Sequence, residues 1–474
     1  MKTSSTSSCP FQAAQGEPAS EPKLHPRGAW PPGPPAGLTG WKLLLKMSRN
    51  LPGAVAEWRQ AYGGIVHLRM WPEHQVIVSE PELVRELLVT NHEALIRWER
   101  GIKVFSQIHG RSVLTAEGEP WRTRRAALQP AFAPKAAQAL VGDIEHAAER
   151  AFSTWRADGQ EWPIEGAFTA LAMDVIVRTM FSSEIDADAR SAEQAIHDVQ
   201  LAGNAEMFWP ASWPDWMPWK AKKRKGLQVL DRLIKRYIKS RLRAASDPWP
   251  DDLLGRLLLL HLQDPVAWPL QAVRDECMTT FLAGHETVAA TLTWWAWCMA
   301  AHPEAQAMAA REVRDVVRGS PLKAQTLPAL SYLTQTLQET LRLYPAAPFL
   351  LSRRALRPIT LGAWQLPART MFLVPVQLMH HDARWFPNPL AYRPERFDQD
   401  ASPAPRGALM PFGTGPRVCL GQHMAMTEMT VIAAKFLQHF TVKVPDGMAA
   451  PEPVFNITLR PREPLRLALY PGAS

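Results

Sequence analysis

Cysteine is scarce in this chain. Its 474 residues hold four, Cys9, Cys277, Cys298 and Cys419. No two fall in a C-x-x-C spacing, so neither a disulfide framework nor a zinc site is expected, and thiols so scattered are a poor ligand set for an iron–sulfur cluster. Such sparing use fits a reducing cytoplasm. The first residues lack an apolar run. Met1–Gly28 is rich in Ser, Ala, Pro and Glu, which argues against a signal peptide or membrane anchor and predicts a disordered tail over 1–28. Internal repeats, zinc-finger spacing, an RNA-binding aromatic signature and a long basic arm are also missing. A net charge of +8 therefore does not read as nucleic-acid binding; a solvated surface, an anionic membrane or an acidic protein partner accounts for it.

What is present is a globular composition, 46% hydrophobic and 21% charged, with 19 tryptophans, enough for a large core rich in flat side chains. After a proline-rich stretch at Arg27–Trp41, residues 29–474 read as one domain. Gly63–Leu88 reads as two strands turning near Pro72–Glu73, then a helix started by Ser79 and Pro81. From about Pro120 to Val317 the apolar period is helical. Thr279–Ala301 approaches the length of a membrane span, but His285 and Glu286 lie inside it beside Gly284, and a helix apolar on nearly all sides suits the centre of a large protein. Pro328–Pro345 is a further helix stopped by prolines, Leu420–Phe440 another, and Val454–Tyr470 reads as a hairpin. The fold class is mainly α with a minor β region.

The stretch PFGTGPRVCLGQHMAM, Pro411–Met426, sets Cys419 just ahead of a helix. Free N–H groups and the helix dipole favour a thiolate there. Gly413, Gly415 and Gly421 permit tight turns and close approach of a flat object, and Arg417 can hold an anion. For a lone cysteine the ordinary reading is an inert buried thiol; a nucleophile paired with His423 would leave Phe412, the glycines and Arg417 unexplained.

Phe412–Gly421 resembles the haem-binding loop of the cytochrome P450 family, F-x-x-G-x-R-x-C-x-G, and Phe412, Gly415, Arg417, Cys419 and Gly421 meet every fixed position. Other motifs follow in the family's order. Glu339 and Arg342 match its E-x-x-R; one helical turn apart, they share a face, and Arg396 of the PERF segment completes an ionic network. Ala283–Thr287 resembles the oxygen-activating centre of the family's long helix. The resemblance implies that Ala283 and Gly284 leave room above the iron, and that Glu286 and Thr287 form an acid–alcohol pair for proton delivery. Trp121 and Arg125 match W-x-x-x-R and are expected to reach haem propionates, with Arg124 turned to solvent. Arg353 is the further propionate arginine, preferred over Arg354. The similarity spans about Pro31–Leu469 and implies a single triangular-prism domain.

On this resemblance, Cys419 is the thiolate ligand of a haem b iron. The activity is insertion of one oxygen atom from O2 into a small apolar substrate. Electrons are expected from a separate ferredoxin or flavodoxin with its reductase, no reductase domain being fused, and a basic face with Arg124, Arg406 and Lys435 would receive the partner. A monomer is expected. The alternatives are a haem-binding sensor or carrier without turnover, a peroxide-using or non-oxygenating member of the fold and, more distantly, a thiol hydrolase. The pocket is expected to be lined by Trp98–Ser112, Met207–Trp219, Thr280–Ala283, Pro348–Leu351 and Phe455–Ile457. Met207–Lys225 sets four tryptophans before five basic residues; it reads as a lid with inward tryptophans and a solvated basic run, and membrane contact is the competing reading.

Overall fold

The computed structural model describes residue 25 and residues 29–184, 187–208, 216–244, 249–456 and 458–472. Of the expected tail, residues 1–24 and 26–28 lie outside these; His25 stacks on Trp364 at 3.8 Å between ring centroids. Residues 209–215 of the tryptophan-rich segment and Ile457 also lie outside them.

The fold is organised around a long central helix, Leu270–Ala301, of 32 residues. Its sequence explains its length. Pro269 precedes it, Pro303 follows it, and between them there is no proline and one glycine, Gly284. That glycine has a packing role: a Cβ there would lie 2.6 Å from Ile176 Cδ1 of the Ile164–Phe181 helix. A side chain at 284 would make Ile176 shift where the two helices approach. Trp294, Trp295 and Phe281 of the central helix are fully buried. Trp295 donates from Nε1 to Thr336 Oγ1 at 2.9 Å, and Trp294 to the Leu459 carbonyl at 2.9 Å, so each indole is buried without an orphaned N–H. Among the described residues no helix is long and apolar enough to cross a membrane.

A five-stranded sheet runs in the order Ile65–Met70, Glu73–Val78, Met371–Leu373, Arg353–Ala355, Leu95–Arg97. Its second and third strands are parallel, the other neighbours antiparallel. The last pairing sets Arg97 directly opposite Arg353.

Two expectations need correction. Ser79 does not cap the Pro81–Arg85 helix; Glu80 holds that position, and the Ser79 hydroxyl donates to the Gly64 carbonyl at 3.1 Å, because the chain is still leaving the strand. The C-terminal hairpin is shorter than expected, Pro453–Asn456 against Thr458–Pro461. The segment Leu467–Pro471 pairs instead with Phe440–Lys443 and Glu161–Trp162. Periodicity shows that a segment is a strand, not which distant edge it joins.

Candidate active site

The Cys419 loop is shaped by its glycines. Gly413 and Gly415 have φ of 77° and 75°, and a Cβ on Gly415 would lie 2.3 Å from the Leu88 carbonyl oxygen, so both the turn and the close approach require glycine there. The Cys419 N–H donates to the Phe412 carbonyl at 2.9 Å, closing the loop on itself. The Gln422–His439 helix begins three residues after the sulfur. Cys277 and Cys298 are buried, whereas Cys419 is accessible. Desolvation by the surrounding protein raises its pKa. The Gly421 N–H and the Arg125 charge oppose that rise. The protein alone therefore does not make the thiolate that helix-dipole reasoning suggested; a positively charged partner for the sulfur would.

Around the loop stands a ring of arginines. Arg125 donates to the Val418 carbonyl at 3.0 Å. Arg417 donates to the Ala116 carbonyl at 3.0 Å, pairs with Glu117, and lies over the Trp121 ring with its guanidinium carbon 4.1 Å from the centroid. Arg125 flanks the same ring at 5.9 Å. Arg353 is half-buried and Arg97 is 8% exposed. Burial lowers the pKa of Arg97, Arg353 and Arg417. The neighbouring Arg417 lowers Arg97 and Arg353 further, bringing Arg353 to about 10, and Arg125 lowers Arg417. Glu117, their acidic neighbour, lies 3.7 Å from Arg97 Nη1, and Arg97 Nε and Nη1 make no hydrogen bond among the described residues.

Two arginines opposite each other across a strand pair repel, and a buried guanidinium without partners is costly. This cluster is therefore built for an anion of more than one charge, presented beside Cys419 and Trp121. A haem with its two propionates fits that requirement, and the residues for it are in place. Arg354, by contrast, turns to the other side of its strand, where Glu73 and Glu99 bind it at 2.7 and 2.6 Å.

The central helix supplies a second surface. Ala283 is exposed, and Gly284 and Thr287 are half-buried, while Leu282, His285, Glu286 and Val288 are buried. The accessible stripe in the middle of this helix is a methyl group, a glycine and a threonine. Thr287 Oγ1 donates to the Ala283 carbonyl at 2.8 Å. Glu286, about 100° further round the helix, does not join it: Thr458 Oγ1 donates to its Oε1 at 2.9 Å, and Gln200 donates to its Oε2. Burial raises the Glu286 pKa, against the pull of Arg460, Thr458 and Gln200. His285 bonds the Phe281 carbonyl through Nδ1 at 2.6 Å and is part of the core.

Behind the loop, Glu339 and Arg342 pair at 2.7 Å, both side chains wholly buried, and Arg396 Nε reaches Glu339 at 3.1 Å. Arg342 also donates to the carbonyls of His380 and Pro389 at 2.8 and 2.7 Å. His380 Nε2 in turn accepts the Met410 N–H at 2.9 Å, which ties the ion pair to the chain just ahead of Phe412.

Sequence reasoning missed Arg97 and Glu117. No local pattern marks them; they belong to the site because the Leu95–Arg97 strand pairs with Arg353–Ala355. It also misplaced two cations. Arg124 faces inward, bound at 2.7 Å to Glu276, whose carboxyl has no solvent exposure; burial pushes that carboxyl up to about 7. Lys435 is buried and pairs with Glu149, with Glu145 at 3.4 Å. Neither is a free docking charge; Arg406 is exposed. In the basic run, Lys220 and Lys223 are buried on Glu206 at 3.1 and 2.6 Å, so it is not a uniformly solvated face, while Trp216 and Trp219 stay exposed.

The cytochrome P450 family profile matches residues 31–468, and the chain belongs to that family. It is an oxidoreductase of the monooxygenase type, with the mainly helical fold of the family, and membership implies haem held by a cysteine thiolate. Among similar proteins, cytochrome P450 734A4 of Oryza sativa subsp. japonica is 31% identical over 81% of this chain and 77% of its own length. The cyclooctat-9-en-7-ol 5-monooxygenase of Streptomyces melanosporofaciens is 30% identical over 86% and 87%, and cytochrome P450 714B3 of Zea mays 30% over 82% and 74%.

Proposed function

We propose that this protein is a haem b monooxygenase with Cys419 as the thiolate ligand, acting on a small apolar organic substrate. The observation that carries the reading is the conjunction at the loop: an exposed cysteine beside a cluster of one buried and three half-buried arginines, Arg97, Arg125, Arg353 and Arg417, whose acidic neighbour is Glu117. Arg97, Arg125, Arg353 and Arg417, with Trp121, would hold the propionates. Bidentate guanidinium–carboxylate bonds suit that task better than lysine would. Phe412, Gly415 and Gly421 shape the loop. When bound, thiolate-ligated haem supplies activation of dioxygen, one atom of which enters the substrate while the other leaves as water.

The chain's own contribution is to position groups and move protons. Ala283, small and exposed, leaves room above the haem, and Gly284 lets the central helix lie close to Ile176. Thr287 presents its hydroxyl oxygen as an acceptor, its proton being given to the Ala283 carbonyl. Glu286 is held as a buried acid whose pKa is raised, the condition for releasing a proton near neutral pH. Glu339, Arg342 and Arg396 stiffen the scaffold behind the loop.

The segments expected to line the pocket are mostly apolar, Trp98, Met207, Phe349 and Phe455 among them, which supports the substrate class. The Streptomyces relative is named for cyclooctat-9-en-7-ol, which is consistent with an organic substrate. Electrons come from a separate ferredoxin or flavodoxin and its reductase, and Arg406 is one exposed cation for their docking. Free buried Cys277 and Cys298 fit a reducing cytoplasm. The monomer is the working form. The test is turnover of an apolar compound panel under 18O2, with a surrogate ferredoxin and reductase. One labelled oxygen per product molecule is expected. Product labelled from water, or no product with any compound that binds, would overturn the reading.

A further inference from the structure

Two adjoining depressions near the N-terminal helices hold none of the residues assigned to the haem. One, of about 480 Å³, follows the Trp41–Arg49 helix and is lined by Lys42, Lys46, Arg49 and Glu57. The three cations recur at spacings of four and three, so they share one face of that helix. The other is a groove of about 420 Å³. It runs between Leu51 of the Leu51–Tyr62 helix, Leu201 of the Ala187–Phe208 helix, and Val454 and Phe455 of the C-terminal hairpin. Arg49 and Asn50 line both. Arg49 thus stands at the junction of a basic depression and a groove whose lining residues are mostly apolar.

The charges there are unevenly matched. Lys46 is paired with Glu57 at 2.5 Å, and Arg462 with Glu452 at 2.6 Å at the edge of the groove. Lys42 and Arg49 are exposed and make no ion pair among the described residues. The apolar side is open as well: Leu201 is 47% exposed. At the other end of the groove Phe455 packs on Phe349 at 5.4 Å between ring centroids. Phe349 belongs to the segment that leads into Arg353, and chain of that length spans at most about 14 Å. The inner end of the groove is therefore close to the candidate active site.

We propose that this is a binding site for a free amphiphilic carboxylate, with its head group on Arg49 and its hydrocarbon tail along Leu51, Leu201 and Phe455. One such molecule meets both halves of the site at once. The guanidinium fork takes a carboxylate through two parallel hydrogen bonds, and Lys42 adds attraction from the same helix face. The tail covers the exposed leucine and the half-buried phenylalanine, which removes apolar surface from water. Both volumes lie in the range of small-molecule sites, about 300–1,000 Å³. The head group is at the surface, so its hold weakens as salt is raised, while the hold on the tail does not.

The experiment is calorimetric titration of the haem-loaded full chain with decanoate below its micelle concentration, and it needs no turnover. Saturable binding is expected. Arg49→Gln is expected to weaken it about tenfold or more, the loss of a charge-assisted pair. Hexanoate and 1-decanol are each expected to bind the wild type at least about tenfold more weakly, for want of tail and of charge respectively. Leu201→Glu, which sets a like charge in the groove, is expected to weaken decanoate as well. Arg243→Gln removes an exposed cation elsewhere and is expected to change nothing, which separates a site from an effect of net charge. Arg49 and Leu201 are exposed, and thermal melts of the variants show that each is folded. Dependence on both residues distinguishes the groove from any binding in the substrate pocket. Equal affinity in Arg49→Gln, or decanol bound as tightly as decanoate, would overturn the head-group site. Unchanged affinity in Leu201→Glu would overturn the course of the tail. No binding of decanoate, with sedimentation on phosphatidylglycerol vesicles that Arg49→Gln abolishes, would overturn the free acid as occupant in favour of a bilayer lipid.

Discussion

Arg97 and Arg353 are cross-strand partners in the register of the five-stranded sheet, two cations facing each other where a sheet would ordinarily place a neutral or complementary pair. Strand pairing does not tolerate this arrangement without a reason. The reason given above is an anion that both guanidinium groups address, together with Arg417 and Arg125.

This makes a prediction about Arg97. Arg97→Met removes a buried charge that is already under repulsion, so the haem-free protein is expected to be no less stable than wild type in urea denaturation. The haem-loaded protein is expected to lose its group about 10–100-fold more readily, the effect of one charge-assisted hydrogen bond of about 1.5–3 kcal/mol. Transfer of haem to apomyoglobin measures this. Unchanged transfer rates would remove Arg97 from the site.

The buried Glu339–Arg342 pair makes a different prediction, about the fold. Both side chains have no exposure, so removing one leaves the other charged and uncompensated in the core. Arg342→Ala is expected to cost about 3–5 kcal/mol. Arg396→Ala, at the edge of the network with 10% side-chain exposure, is expected to cost about 1 kcal/mol. Urea midpoints at constant slope provide the comparison. Equal losses in the two variants would contradict the assigned hierarchy.

His380 makes a prediction about pH. It is buried between the Arg342 carbonyl, to which Nδ1–H donates at 3.2 Å, and the Met410 N–H, which donates to Nε2 at 2.9 Å. Burial, with the neighbouring His381, lowers its pKa from 6.5 to about 3. The folded protein therefore binds no proton there at pH 5, while the unfolded chain binds one. Its contribution is intact above pH 6.5 and is lost progressively as pH falls from 6.5 to about 3. His380→Asn keeps a donor toward Arg342 and is expected to reduce proton uptake on unfolding at pH 5 by about one proton. Calorimetry in buffers of different ionisation enthalpy gives that number. An unchanged uptake would mean that His380 is charged in the folded state.

These residues also show what a sequence can and cannot give. The Cys419 loop was readable because its requirements are local: a tight turn, a thiol and an anion-binding side chain must fall within a few residues, whatever the rest of the fold does. Glu339 and Arg342 were readable as a pair because one helical turn separates them. Arg97 was not, since its place depends on a strand pairing with a segment far along the chain. Glu286 was found as a residue but not in its surroundings, because its Thr458 partner lies 172 positions away. Arg124 was assigned to solvent because Glu276, 152 positions away, left no mark near it. The C-terminal hairpin reads too long in the sequence for the same reason: alternation marks a strand but not its neighbour.

The central claim is that Cys419 binds the haem iron as a thiolate, although burial in the protein alone favours the thiol. The most direct measurement is the absorption spectrum of the haem-loaded protein reduced with dithionite under carbon monoxide. A strongly red-shifted Soret band, lost in a folded Cys419→Ser variant, is the predicted result. A Soret band typical of histidine or thiol ligation in well-folded wild-type protein would contradict the account.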